Sequence, residues 1–155
     1  MKAAVFSDTH GNTALMVEAV RRLRPDVLIH LGDYERDTEI LRREFSEIPL
    51  YSVCGNCDMA AMSPLTDTVP LGPVKAFICH GHSYAVEYGT DRLVYAAQER
   101  EAKLALFGHT HMPYNGEAGG VRVVNPGTAG KGHRLTYAWI EVFDNGGIAT
   151  EIRDL

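Results

Sequence analysis

Residues 2–33 read KAAVFSDTHGNTALMVEAVRRLRPDVLIHLGD, and this stretch decides the fold. KAAVFS at 2–7 is an apolar run of strand length. TALMVEAVRRLR at 13–24 puts Leu15, Ala19, Val20 and Leu23 on one face of a helix, and Pro25 marks its end. VLIHL at 27–31 supplies a second strand. Working outward, TEILRREF around 38–45 repeats the helical period and LYSVC at 50–54 is a third strand. Strand and helix alternating in this order predict parallel strands joined by right-handed crossovers.

The later half changes character. TVPL and VKAFICH pair as a hairpin around Gly72-Pro73, RLVYAAQEREA at 92–102 is a helix, and LALFG at 104–108 and VRVVN at 121–125 are strands. YAWIEVF and IATEIR flank Asp144-Asn145-Gly146-Gly147 and form a closing hairpin. The prediction is an α/β protein, a sandwich of two mixed sheets with helices outside, forming one domain over residues 1–155. Residues 58–73 and 112–120 read as the variable, specificity-bearing loops, and MPYNGEAGG at 112–120 reads as a mobile one.

Chemistry concentrates where the strands end. DTHGN follows the first strand, LGD the second, GNCD the third, HGH the VKAFIC strand and GHTH the LALF strand. Together they supply seven side chains of metal-binding type: Asp8, His10, Asp33, Asn56, His80, His109 and His111. The pairs at 8/10, 80/82 and 109/111 are two apart, a spacing that directs both side chains to one face of an extended backbone. A single DxH or GD occurs by chance in many proteins. Five such groups in this order match the needs of a two-metal centre for phosphoester cleavage. His82 faces the same way as His80, and Asn12 stands beside the first pair. His30 lies inside its strand and reads as a packed residue, and His133 in GKGHR reads as solvent-exposed.

With NPGT at 125–128 added, these motifs make the chain resemble the calcineurin-like metallophosphoesterase superfamily, within it the small bacterial and archaeal phosphodiesterase branch. The resemblance implies one metal held by Asp8, His10, Asp33 and His111. A second is held by Asp33, Asn56, His80 and His109, with Asp33 bridging, and Asp33, Asn56 and His80 form the catalytic heart. Two divalent ions are expected, manganese first, with nickel, iron, cobalt or zinc also compatible with mixed imidazole and oxygen donors. The implied reaction is phosphodiester hydrolysis by a hydroxide held between the metals, without a protein nucleophile. One position departs from the family: many members carry GNH followed by an acid, whereas here the segment is Gly55-Asn56-Cys57-Asp58. A thiol is a poorer proton donor than an imidazolium at neutral pH, so the chain should favour good leaving groups. Asn12, Cys57, Asp58 and His82 are the candidates for touching substrate or orienting a ligand.

The formal net charge is −5, from 15 Lys and Arg against 20 Asp and Glu. That balance disfavours nonspecific binding to nucleic acid or to an anionic membrane. The site has the opposite sign, since two divalent ions against two carboxylates leave a local charge of about +2 when the histidines ligate as neutral rings. A small phosphoester is the expected partner, with self-association left open. There is no apolar run long enough to span a membrane and no signal-peptide pattern, so the expected location is cytoplasmic. Two rival readings come from other classes. Cys54 and Cys57 form a C-x-x-C that fits a thiol redox protein, but this leaves the Asp and His set idle, and Cys79 stands alone. A protein-interaction scaffold like the eukaryotic retromer subunit of this superfamily is the other, yet that subunit has lost some metal positions and here each is filled.

Overall fold

Alternation along β1 (Lys2–Phe6) sorts the interior into layers. Ala3 and Val5 point into one apolar cluster, with Ile29, Ile78, Leu106 and Ile140. Ala4 and Phe6 point the other way, into a cluster with Met16, Val20, Leu41 and Tyr137. The computed structural model describes all 155 residues, and it is a four-layer α/β sandwich. The first sheet has the order β10-β9-β1-β2-β3, built from β2 (Val27–His30), β3 (Leu50–Ser52), β9 (Thr136–Val142) and β10 (Ile148–Asp154) around β1. The second has the order β4-β5-β6-β8-β7, from β4 (Thr66–Leu71), β5 (Val74–Cys79), β6 (Leu104–Leu106), β7 (Tyr114–Ala118) and β8 (Val121–Asn125).

Helices cover the outer faces. α1 (Ala14–Leu23) and α2 (Thr38–Glu44) pack on the first sheet, and α3 (Asp91–Glu99) packs on the second through Leu93, Val94, Ala96 and Ala97. No helix is long and apolar enough to cross a membrane. β1, β2 and β3 are mutually parallel, as are β5, β6 and β8. The antiparallel pairs are the two expected hairpins, β4 with β5 and β9 with β10, a third, β7 with β8, and β9 with β1.

Three expectations need correction. The buried face of α1 is Met16, Val17, Ala19 and Val20, while Leu15 is 36% exposed. Leu15 and Met16 both fit a stripe containing Ala19 and Val20, so periodicity alone could not choose between them; packing on Phe6 and Leu28 does. Residues 112–120 are not a mobile loop, because Tyr114–Ala118 form β7, an edge strand turned through Gly119 and Gly120 (φ 56° and 75°) onto β8. YNGEA shows no apolar alternation because an edge strand exposed on both sides needs only backbone pairing. Asn115 also donates to the Thr150 carbonyl (3.0 Å) and accepts from the Thr150 hydroxyl (2.8 Å), tying this edge to β10 of the other sheet. Likewise β4 begins at Thr66, inside the stretch expected to be loop.

Candidate metal centre

Every motif lies past the C-terminal end of a parallel strand, three from each sheet, the edge where α/β proteins collect their functional groups. Asp8 follows β1, Asp33 follows β2, Asn56 follows β3, His80 follows β5, His109 and His111 follow β6, and Asn125 ends β8. The four donor atoms of Asp8, His10, Asp33 and His111 lie within 4.8 Å of one another. Within this group His111 Nε2 is 3.1 Å from Asp8 Oδ1, His10 Nε2 is 3.8 Å from Asp33 Oδ2, and the two imidazole nitrogens are 3.3 Å apart. A second set adjoins it, with His80 Nε2 3.1 Å from Asn56 Oδ1 and 3.3 Å from Asp33 Oδ1. The His109 ring lies 5.2 Å from the His80 ring, and its Nε2 is 3.9 Å from Glu87 Oε2, a neighbour the sequence did not flag.

The i, i+2 pairs do converge, but by a different backbone from the extended one expected. Asp8, His10, Asp33, His109 and His111 all have positive φ, between 48° and 69°. These account for five of the nine non-glycine residues in that region, where an L side chain crowds its own backbone. β1, β2 and β6 therefore end in left-handed turns that carry these donors, whereas Asn56 after β3 and His80 after β5 do not use that region. The glycines beside them are needed for space: a Cβ at Gly108 would overlap Ser7 and the Asp8 carboxylate, and one at Gly55 would overlap the Asp33 carboxylate and amide.

Burial and hydrogen bonding set the protonation of the donors. His80 is fully buried and its Nδ1–H donates to the Leu31 carbonyl at 2.7 Å, so Nε2 presents a lone pair to Asn56 and Asp33. Burial pushes His80 down to about 4, partly opposed by Asp33, so the contact with Asp33 is not an ion pair at neutral pH. His111 is also lowered, by burial and then by His10. Burial pushes the Asp8 carboxyl up to about 7, and its Oδ1 has no hydrogen-bond partner. Burial raises Asp33 as well, but the Cys57 amide (3.0 Å) and His80 outweigh it and hold the carboxyl below its usual range. Imidazole nitrogens, carboxylate oxygens and an amide oxygen facing one another across 3.1–3.8 Å are the mixed donors a divalent cation takes, so the donor set fits metal.

A frame of residues around the donors holds them in place. Gly32 N–H donates to Nδ1 of the buried His30 (3.3 Å), which leaves Nε2–H for the Thr9 hydroxyl (3.2 Å), so His30 joins the DTH and LGD turns. Asp58 accepts from the amides of Gly55 and Glu35, both at 2.8 Å. Its carboxylate thus fixes the GNCD turn to the turn after Asp33. Asn12 is exposed and donates to the Gly130 carbonyl at 3.3 Å, a link between loops. His82 keeps a buried Nδ1 without a partner, with its ring 5.5 Å from that of His80. The Cys57 side chain is exposed, and its thiol is pushed up to about 11 by desolvation and then by Asp33. His133 is exposed, as expected. The NPGT segment contributes Asn125, which is buried and donates to the Gly108 carbonyl (2.8 Å) and the Thr110 hydroxyl (3.1 Å). Thr128 donates to the Asp8 carbonyl at 2.9 Å. The sequence offered NPGT only as part of a resemblance; its work is to brace the GHTH and DTH turns.

A family model described as the calcineurin-like phosphoesterase superfamily domain matches residues 1–145. The chain belongs to that superfamily. Among similar proteins, the probable metallophosphoesterase YsnB of Bacillus subtilis is 29% identical over 130 residues, covering 83% of this chain and 75% of that one. A predicted phosphoesterase from Streptococcus pneumoniae superposes with a TM-score of 0.76 at 25% identity, over 99% of this chain and 97% of its own. A Vps29 structure from Entamoeba histolytica reaches 0.80 at 19% identity, over 100% and 99% of the two chains. That last likeness is one of fold alone. A calcineurin-like phosphoesterase domain, with a partly buried Asp and His cluster at the shared edge of its two sheets, is therefore the frame for any account of activity.

Proposed function

We propose that this chain is a single-domain, two-metal phosphodiesterase, with one ion on Asp8, His10, Asp33 and His111 and a second on Asp33, Asn56, His80 and His109. The observation that carries it is the meeting of two donor sets at Asp33, whose Oδ2 faces His10 while its Oδ1 faces His80. Pairing of β10 with β9 supports one domain reaching the last residues. When bound, two divalent ions supply water activation near neutral pH and neutralise charge on the phosphoryl group. The residues of the chain do the rest. Asp33 holds the two donor sets together, the Leu31 carbonyl fixes the His80 tautomer, and Asp58 and Asn125 keep the turns in register. Mixed imidazole and oxygen donors suit manganese among several metals. Three unpaired cysteines fit a reducing, cytoplasmic setting.

Phosphodiesters with acidic leaving groups are the proposed substrates, because no imidazole stands at position 57 to protonate a poor one. The test is hydrolysis of an activated aryl phosphodiester by protein stripped with a chelator and then restored with manganese, zinc, nickel, cobalt or iron(II). Activity should vanish on stripping, return with metal and be absent in Asp33→Ala. Full turnover by the stripped protein would overturn it. The fold shared with Vps29 supports a second reading, an interaction scaffold. Tight metal binding without hydrolysis of any phosphoester in a broad panel would favour that one. A thiol redox role is less well supported, since Cys54 is buried and the Cys57 thiol holds its proton at neutral pH.

A further inference from the structure

Beside the metal centre lies an open cleft of about 670 Å³, between the turn at Tyr34–Arg36 and the segment 57–63. We infer that it is a subsite for an aromatic ring on the ester group that stays attached to phosphorus. The subsite presupposes the phosphodiesterase activity proposed above and names its substrate class. A phosphodiester has two substituents, and one of them leaves. The other must rest somewhere close to the centre.

The cleft shares its inner wall with the metal centre. The Tyr34 ring lies 5.2 Å from the His10 ring, and Cys57, also in the wall, donates its amide to Asp33. A substituent on phosphorus would therefore enter without spanning a gap. The volume is in the range that holds small molecules, roughly 300–1,000 Å³. Its outer rim carries Met59 and Met62, which are 100% and 95% exposed. Two large thioethers standing in water next to a reaction centre are unusual for a loop that only connects β3 to β4. Thioethers favour the edges and faces of aromatic rings, and their flexible stems adapt to rings of different outline. Across the cleft, the Arg36 guanidinium sits 5.0 Å from the centre of the Tyr34 ring, a flat cationic surface suited to stacking.

Two of the three acids of the cleft, Glu35 and Asp58, are already engaged; Glu39 is exposed, and the methionines and Arg36 supply the contact surface for a ring. Glu35 accepts from the Ser63 amide (2.8 Å), the Ser63 hydroxyl (2.6 Å) and the Met62 amide (3.0 Å). Asp58 accepts from Gly55 and Glu35. These bonds also anchor both ends of the methionine-bearing segment to the turn after Asp33. Neither Arg36 nor Arg42 makes an ion pair, but the cleft carries three carboxylates against two guanidinium groups, so a second anion is a poorer fit than a ring.

The test uses three diesters with one common leaving group, p-nitrophenol, and three retained groups: phenyl, thymidine joined through its 5′ oxygen, and ethyl. Because the bond broken is the same, differences report on the retained group. Metal-loaded protein should prefer a ring-bearing ester over the ethyl ester in kcat/KM. Met59→Ser with Met62→Ser should lower that preference by about tenfold, chiefly through KM, and leave the ethyl ester unchanged. Calorimetric binding of phenyl phosphate, thymidine 5′-phosphate and ethyl phosphate to the same metal-loaded samples gives a readout that needs no turnover. Preference for thymidine alone supports a nucleobase as the ring, and preference for phenyl alone supports a simple aryl group. Equal binding of all three by parent and variant would overturn the subsite. If no diester is hydrolysed but ring-bearing phosphates bind tighter and the variant abolishes this, the subsite stands and the phosphodiesterase proposal falls.

Discussion

Asn125 is the residue whose replacement most directly tests how the fold holds the centre. It is fully buried at the end of β8 and uses its amide in three directions. The nitrogen donates to the Gly108 carbonyl and the Thr110 hydroxyl, and the oxygen accepts from the Gly127 amide at 2.8 Å. Asn125→Ala would leave the Gly127 N–H buried without a partner and take one of two donors from the Gly108 carbonyl, which keeps the Thr110 amide at 2.8 Å. An orphaned buried group costs roughly 1–3 kcal/mol and a lost hydrogen bond about 1 kcal/mol, so the loss should be ~3 kcal/mol. Asn125→Asp keeps the size and the bond from Gly127 but sets a carboxylate against the Gly108 carbonyl, so it should be at least as harmful at pH 7. The functional effect follows from geometry, because Gly108 begins the turn that carries His109 and His111. With that turn released, metal affinity should fall by about 10–100-fold, the range seen when a support behind a ligand is removed. Urea unfolding followed by the fluorescence of Trp139, the single tryptophan, gives the stability. Calorimetric titration with manganese gives affinity and stoichiometry. An Asn125→Ala protein within ~1 kcal/mol of the parent, with unchanged affinity and stoichiometry, would refute the bracing role.

If Asp33 joins two ions, Asp33→Ala should lower the metal content measured by elemental analysis by more than His10→Ala does; equal losses would argue against a bridge. Cys57→His should raise kcat/KM for alkyl diesters and leave an activated aryl diester nearly unchanged, a gain of up to about 10²–10⁴-fold if the ring reaches the leaving oxygen. The same leaving-group dependence in parent and fully metallated variant would mean position 57 has no part in protonation. Burial holds His30 down at about 4, whereas an unfolded histidine titrates near 6.5. Between these values the unfolded chain binds the extra proton, so stability rises with pH there. About 3 kcal/mol contributed by His30 is present above pH 6.5 and lost as pH falls through 4. In metal-free protein His30→Asn should flatten the pH dependence of urea midpoints between pH 7 and 5, and an unaltered slope would count against it.

The parts of the fold that could be read from sequence were those with strong local periodicity. Parallel β1, β2 and β3, the β4–β5 hairpin and the β9–β10 hairpin all carry apolar runs or a turn signal strong enough to read directly. Edge strand β7 was hidden because its residues face solvent and its pairing is by backbone alone. In the candidate centre, the donors were legible because aspartate and histidine recur at strand ends in a fixed order. The frame behind them was not. Asn125, Thr128 and His30 act on groups far along the chain, as in the bond from Thr128 to the Asp8 carbonyl, and such contacts leave no local pattern. The backbone route to convergence was also hidden, since a spacing of two residues suits an extended strand and a left-handed turn alike.

That left-handed turn sets folding against ligation at the same five positions. At Asp8, His10, Asp33, His109 and His111 a glycine would relax the backbone by about 1 kcal/mol each, because it has no Cβ to crowd the carbonyl. Selecting a library of this chain for thermal stability alone, with metal withheld, should therefore drift toward glycine or asparagine at those positions and erase the centre. Selection with metal present should hold aspartate and histidine in place, so whether the ion is in the growth medium decides which sequence the fold prefers.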